Sequence, residues 1–229
     1  MINNLPKIFC LTLKDTPKRK EYAENHFKQN GLDVEFFEGI NGSTFGLRTI
    51  IPYRDDDPNG PDYFIKQGRI GCLLSHLMLW KTLLHNSYDE ILILEDDIQL
   101  PNNFIEKFQE LKNKLPNDWQ YVFVGHCCLA PPEHQIKIAE GIVVTDTPPM
   151  CTHAYMIKKT SLLTLIETNS QAWAAVDIQI QKKTLKQLKY YIFEPAIVEQ
   201  VSLLKQRTPE LFDSNDKTFE SLTLDSNFI

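Results

Sequence analysis

The chain has 229 residues, 24 basic against 30 acidic side chains and a formal net charge of −6, with 42% hydrophobic and 24% charged residues. A chain this long can hide roughly 70% of its unfolded surface on folding; it is too apolar and too weakly charged to be disordered and, with an acidic excess, is not a general nucleic-acid binder. No apolar run approaches the ~20 residues of a membrane helix, and Met1 to Lys7 lacks the apolar stretch of a signal peptide, so a cytoplasmic protein is expected.

Ile8-Phe9-Cys10-Leu11-Thr12-Leu13 reads as a buried strand. Asp15 or Thr16 can cap the helix that follows, with Pro17 at its first position and Gly31 as its stop. Val34 to Phe37 is a second strand. Residues 39 to 68 carry the Gly, Asn, Asp and Pro of a long loop, expected to be functional and to close over a ligand between Gly42 and Gln67. Ile70 to Asn86 is a helix with an apolar stripe through Ile70, Leu73, Leu77, Trp80 and Leu84. Ile91 to Leu94 is a fully apolar strand closed by Glu95-Asp96-Asp97. Then come a helix over 103–115, strands over 121–125, 142–144 and 152–157, helices over 161–168 and 178–188, and a strand over 190–195. Alternating strands and helices predict an α/β domain over 1–204: a mostly parallel sheet with helices on both faces. Residues 205–229 read as a polar tail.

Five cysteines, most of them in apolar stretches, read most simply as free buried thiols in a reducing compartment. The stretch with His126, Cys127, Cys128, His134, Cys151 and His153 offers zinc ligands but no CxxC spacing, which argues against zinc.

Glu95-Asp96-Asp97 is the strongest chemical signal. Ligands bind outside the carboxyl ends of strands in open α/β sheets, and three unpaired carboxylates there would be costly to desolvate. Either a divalent cation joins them or they form a solvated turn that caps the next helix. Gly68 and Gly71 open a helix whose free N–H groups favour an anion. Ser75 and His76 interrupt its apolar face, as satisfied core groups or as site lining. Lys14, Lys18, Arg19 and Lys20 surround a strand-to-helix turn that either receives a pyrophosphate or is a solvated face. Lys182, Lys183, Lys186 and Lys189 form a basic cluster that can touch anionic lipid or simply face water.

In order along the chain, Cys10-Leu11-Thr12-Leu13 with Arg19, Gly39-Ile40-Asn41-Gly42, Gly68 to His76, Ile93 to Ile98, Thr152 to Ile157 and Pro195 to Gln200 resemble the motifs of glycosyltransferase family 25, the lipopolysaccharide and collagen-type galactosyltransferases. Thr12 and Asn41 replace the family's Asn and Asp. The resemblance implies one GT-A-like (Rossmann-like) domain that transfers a hexose, galactose from UDP-galactose, to a glycan or glycolipid acceptor such as lipooligosaccharide, with inversion. It implies Mn²⁺ or Mg²⁺ on Glu95 and Asp97, and a nucleotide-sugar donor against Thr12, Leu13, Arg19, Asn41, Gly68, Ser75, His76 and Asp96. Asp177 is the candidate base, with Trp173 as a sugar platform; a helix N-cap is the alternative for Asp177. Peripheral membrane contact at the inner membrane face is the further expectation. Two other classes share these features: a non-catalytic sugar- or nucleotide-binding relative, and a phosphatase-like enzyme with an aspartate nucleophile.

Overall fold

The computed structural model describes residues 5–45, 52–53, 63–64 and 67–201. The polar tail and most of the loop expected to close over a ligand lie outside these residues, Asp55, Asp56 and Asp57 included.

The chain opens with β1 (Lys7–Thr12), α1 (Pro17–Gln29) and β2 (Val34–Glu38). Pro17 occupies the first turn of α1, where its missing N–H costs nothing. Gly31, at φ +65°, turns the chain out of the helix. Thr16 precedes the helix but does not cap it: its hydroxyl donates to the Leu13 carbonyl at 3.1 Å. A 3₁₀ turn, Gly42–Phe45, and two short antiparallel strands, β3 (Pro52–Tyr53) and β4 (Tyr63–Phe64), lead into α2 (Gln67–Leu83). There follow β5 (Glu90–Glu95), β6 (Ile98–Gln99), α3 (Phe104–Asn113), β7 (Tyr121–Phe123), β8 (Gln135–Ala139), β9 (Ile142–Thr145), β10 (Ala154–Lys158), α4 (Leu162–Thr168), α5 (Val176–Gln179), β11 (Tyr190–Phe193) and β12 (Glu199–Gln200).

Eight strands form one sheet in the order β2-β1-β5-β10-β7-β11-β9-β8. β1, β2 and β5 are parallel, as are β7 and β11; β10 runs antiparallel to both β5 and β7, so those two groups share a direction. With β9 antiparallel to β11 and to β8, only β9 and β10 oppose the rest. The sheet is therefore mostly parallel, as the alternation of elements predicts, and helices cover both faces.

Alternate residues of each central strand enter different cores. Ile8, Cys10, Leu92, Leu94 and Met156 pack with Phe27 of α1 and Phe104 and Phe108 of α3. Phe9, Leu11, Ile91, Ile93, Tyr155 and Ile157 pack with Leu73, Leu77 and Trp80 of α2, Leu162 and Leu165 of α4 and Val176 of α5. Burial on both faces is why these strands read as unbroken apolar runs. Each fully buried Leu or Ile is worth roughly 1.5–3 kcal/mol.

Two expectations need correction. The helix expected over 178–188 begins earlier, at Val176, and after Gln179 widens into a π-helical turn over Ile180–Thr184. The cysteines are not all free: Cys127 and Cys151 are joined as a disulfide. Paired backbone hydrogen bonds between Cys127 and Met150, at 3.0 and 3.1 Å, bring these remote segments side by side, which residue spacing does not reveal. Cys10 is free and buried, Cys72 free and half-buried, Cys128 free and exposed. With two thiols committed, the stretch from His126 to His153 holds no metal-ligating cluster among the described residues; the grouping of that chemistry lies at Cys72, His76 and Glu95.

Candidate active site

β1 and β5 run parallel with Leu11 opposite Glu95, so Thr12 and Asp96 emerge together at the carboxyl edge of the sheet. The Thr12 hydroxyl donates to Asp96 Oδ2 at 2.9 Å. Arg19, in the first turn of α1, reaches the same point. Its Nε donates to Asp96 Oδ1 at 2.8 Å, its Nη2 pairs with that oxygen too, and Nη2 also lies 3.3 Å from Asp97 Oδ2. Gln200 of β12 donates to Asp97 Oδ2 at 3.1 Å, and the Val201 N–H donates to the Asp97 carbonyl at 2.8 Å. Asp97 Oδ1 is buried with no hydrogen-bond partner among the described residues.

One guanidinium thus serves two buried carboxylates. Burial pushes Asp96 up to about 6; Arg19 pulls it down, but the neighbouring charge of Asp97 pushes it up again. Burial alone would lower the pKa of Arg19, yet Asp97 and Asp96 hold it above its usual value. A solvated helix face is therefore not where Arg19 sits.

Glu95 turns towards α2. Its Oε1 accepts from the Thr152 hydroxyl at 2.9 Å and lies 3.4 Å from His76 Nε2. Burial would raise its pKa, but the hydrogen bond from His76, the field of the His76 and His153 imidazoles and the Thr152 hydroxyl hold it below the usual range.

The loop after β2 closes on α2 at backbone distance. Gly39 N–H donates to the Thr12 carbonyl at 2.7 Å, and Ile40 N–H to Ser75 Oγ, also at 2.7 Å. Ser75 in turn donates to the Gly71 carbonyl at 2.7 Å. A Cβ on Gly71 would stand 2.5 Å from the Gly42 nitrogen, and one on Gly42 only 1.8 Å from the Gln67 carbonyl oxygen, so both positions require glycine.

Together these elements enclose a cleft. Of the residues expected at the site, it is lined by Thr12, Leu13, Arg19, Gly68, Ser75, His76, Glu95, Asp96 and Asp97, joined by Leu11, Gly39, Ile40, Cys72 and Gln200. Asn41 stands outside this lining, its side chain bonded to Asp15 and Ser43. Asp177 lies outside it as well. Ala175, not Asp177, precedes α5, so the N-cap expectation is corrected: Asp177 is the helix's second residue. Its Oδ2 accepts from the Cys151 N–H at 3.3 Å and its Oδ1 from the Ile178 N–H at 2.8 Å. Its field nevertheless reaches the cleft wall, where burial first, then Glu95 and Asp177, raise the Cys72 thiol. Trp173 is half-buried with Lys183 Nζ 4.7 Å from its ring centre. Lys14 and Lys20 line a second cleft that shares Thr12 and Leu13 with the first. Lys182, Lys183, Lys186 and Lys189 are exposed, and no helix among the described residues is long and apolar enough to cross a membrane.

Thr152 and Gln200 hold Glu95 and Asp97, yet neither is foreseen as a site residue. Each lies in a family-like segment, Thr152 to Ile157 and Pro195 to Gln200, and that is the one signal that could have found them. An isolated Thr or Gln has no spacing that announces chemistry.

The sheet, with its acidic strand end and the cleft outside it, defines a GT-A-like fold. A crystal structure of a glycosyltransferase involved in the glycosylation of the major capsid of PBCV-1 shares this fold with a TM-score of 0.51 at 12% identity, over 96% of this chain and 100% of that one. The model of glycosyltransferase family 25 (LPS biosynthesis protein) matches residues 5–180, and the chain belongs to that family. Among its relatives, a glycosyltransferase 25 family member of Aedes aegypti is 25% identical over 70% of this chain and 28% of its own length. One from Drosophila melanogaster is 31% identical over 52% and 20%, and human procollagen galactosyltransferase 2 is 24% identical over 61% and 24%. The matched part of the chain thus spans about a quarter of the length of these relatives.

Proposed function

We propose that the chain is a metal-dependent, inverting hexosyltransferase that moves galactose from UDP-galactose to a hydroxyl of a glycan such as lipooligosaccharide. The observation that carries this reading is the orphaned Asp97 Oδ1, buried where two carboxylates, Asp96 and Asp97, share one guanidinium. A buried oxygen without a partner is costly, and a hard divalent cation is the partner its chemistry fits. Glu95 and Asp97 would hold Mn²⁺ or Mg²⁺; when bound, the ion supplies positive charge against the departing diphosphate. Galactose as the sugar rests on the names of the procollagen galactosyltransferase relatives.

The chain's own residues do the rest. Arg19 and Thr12 hold Asp96 against the strand end, and Gln200 holds one oxygen of Asp97, so the acidic edge is fixed before a donor arrives. Gly39, Ile40 and Gly68 give the donor a wall of close backbone. Asp177 would take the proton of the acceptor hydroxyl as that oxygen bonds to the anomeric carbon and the bond to UDP breaks.

UDP release from candidate nucleotide sugars, with Mn²⁺ or with EDTA, tests the reading. Asp97→Asn should lower turnover by about two orders of magnitude or more while the fold survives; full-rate transfer in EDTA would remove the metal. Asp177→Asn should keep donor affinity and lose at least about a hundredfold in turnover, the scale of general-base catalysis. Donor binding with no turnover in the unaltered protein would identify a binding relative instead, and release of inorganic phosphate a phosphatase-like enzyme.

A further inference from the structure

Behind Glu95 lies a buried chain of polar groups that the proposed reaction does not use. Trp80 Nε1 lies 2.9 Å from the Tyr155 hydroxyl, and that hydroxyl lies 2.9 Å from His76 Nδ1. His76 Nε2 lies 3.4 Å from Glu95 Oε1. Trp80, Tyr155 and His76 are fully buried.

Donor accounting gives this chain a direction. An indole N–H only donates, so the Tyr155 oxygen accepts from Trp80. The Tyr155 proton then needs an acceptor, and His76 Nδ1 is the partner in reach. Nδ1 is thereby the unprotonated nitrogen, which puts the ring proton on Nε2, facing Glu95. Thr152 donates to the same Oε1, so both bonds converge on one oxygen and leave Oε2 free of them.

The same place offers a rival use. The Cys72 sulfur, a His76 nitrogen and a Glu95 oxygen lie within 4.8 Å of one another, a grouping that could suit a soft metal. Metal on Nε2 would move the ring proton to Nδ1. Tyr155 would then face two donors, Trp80 and His76, with its own buried proton left without an acceptor, a costly state. The hydrogen bonds therefore favour the relay.

We infer that Tyr155, held by Trp80, is a positioning residue: it fixes the His76 tautomer, and His76 with Thr152 orients Glu95 within the cleft. The inference rests on the proposed role of Glu95 as a cation ligand.

A control stands beside it. Tyr121 stacks on Tyr155, with ring centres 5.1 Å apart and planes 7° apart, and its buried hydroxyl has no hydrogen-bond partner among the described residues. Tyr155→Phe and Tyr121→Phe delete the same atom from neighbouring, equally buried rings.

Two measurements on the full chain decide the matter: long-range ¹⁵N NMR of labelled His76, and Mn²⁺ titration followed by the EPR signal of the free ion. The expected tautomer is Nε2–H in the unaltered protein and in Tyr121→Phe, and mixed in Tyr155→Phe. Mn²⁺ affinity should fall about tenfold to a hundredfold in Tyr155→Phe, the cost of losing a partner behind a metal ligand, and stay put in Tyr121→Phe. An Nδ1–H tautomer in the unaltered protein, or equal losses in both variants, overturns the relay. So does stoichiometric Zn²⁺ binding that Cys72→Ser abolishes. No Mn²⁺ binding by the unaltered protein overturns the cation reading of the site instead, and the tautomer still judges the relay.

Discussion

Asp96 and Asp97 compete for Arg19, and that competition has a thermodynamic signature. Asp96 titrates near 6 in the folded protein against an ordinary 3.8. Between those values the folded state keeps a proton that the unfolded state has released, so this residue's contribution to stability falls as pH rises from about 4 to about 6 and is flat above. A shift of about two units corresponds to an order of 2–3 kcal/mol at ~1.4 kcal/mol per unit. Asp96→Asn should remove that slope from the metal-free protein, as read from urea midpoints in EDTA across this range. Identical pH dependence in both proteins would place the proton elsewhere. Much of this residue-scale picture was open in the sequence, because Glu95-Asp96-Asp97 follows four aliphatic residues and a strand end is where ligands gather. The pairing of Arg19 with the motif was not: 77 residues separate Arg19 from Asp96, and a basic helix start reads equally as a phosphate site or a wet surface.

At the scale of elements, α2 and the loop before it form one wall of the cleft because two glycines let their backbones touch. Gly71→Ala would drive a methyl group to 2.5 Å from the Gly42 nitrogen and 2.6 Å from the Ile40 carbonyl oxygen, both backbone atoms that cannot swing aside. Overpacking of this kind costs about 1–3 kcal/mol. The expected result is a lower urea midpoint together with weaker donor binding, because the displaced Ile40 also loses its bond to Ser75; unchanged values for both would show that the loop gives way freely. The buried runs of β1 and β5 were legible because burial on both strand faces leaves a direct imprint on residue order; the stripe of α2 was legible as well, although the helix also buries Gly71, Ser75 and Leu79 away from it. β8 was not, since Ile136 and Ile138 are exposed, 60% and 40%, and its Gln-Ile-Lys-Ile-Ala pattern marks no core face. α5 was misplaced because the apolar positions after Ile178 continue through a π-helical turn that an ordinary helical period does not distinguish.

Across the whole molecule, the sheet's strand order differs from its chain order, and β10 is the extreme case. It lies between β5 and β7 and opposes both, although it is made after them, from residues 154–158. The halves of the sheet on either side, β2-β1-β5 and β7-β11-β9-β8, therefore meet only through this late strand. Contacts between residues so far apart in sequence slow the search for the native state, and a nascent chain that has not yet exposed Lys158 must leave a slot open in its middle. β10 also brings Tyr155 to His76, and Thr152, just ahead of it, to Glu95. Closing the slot and assembling the acidic edge are then one kinetic event. Pulse-labelled hydrogen exchange during refolding should protect β5 and β10 amides in a single, late phase; β5 protected well before β10 would mean that the edge is built on a half-finished sheet.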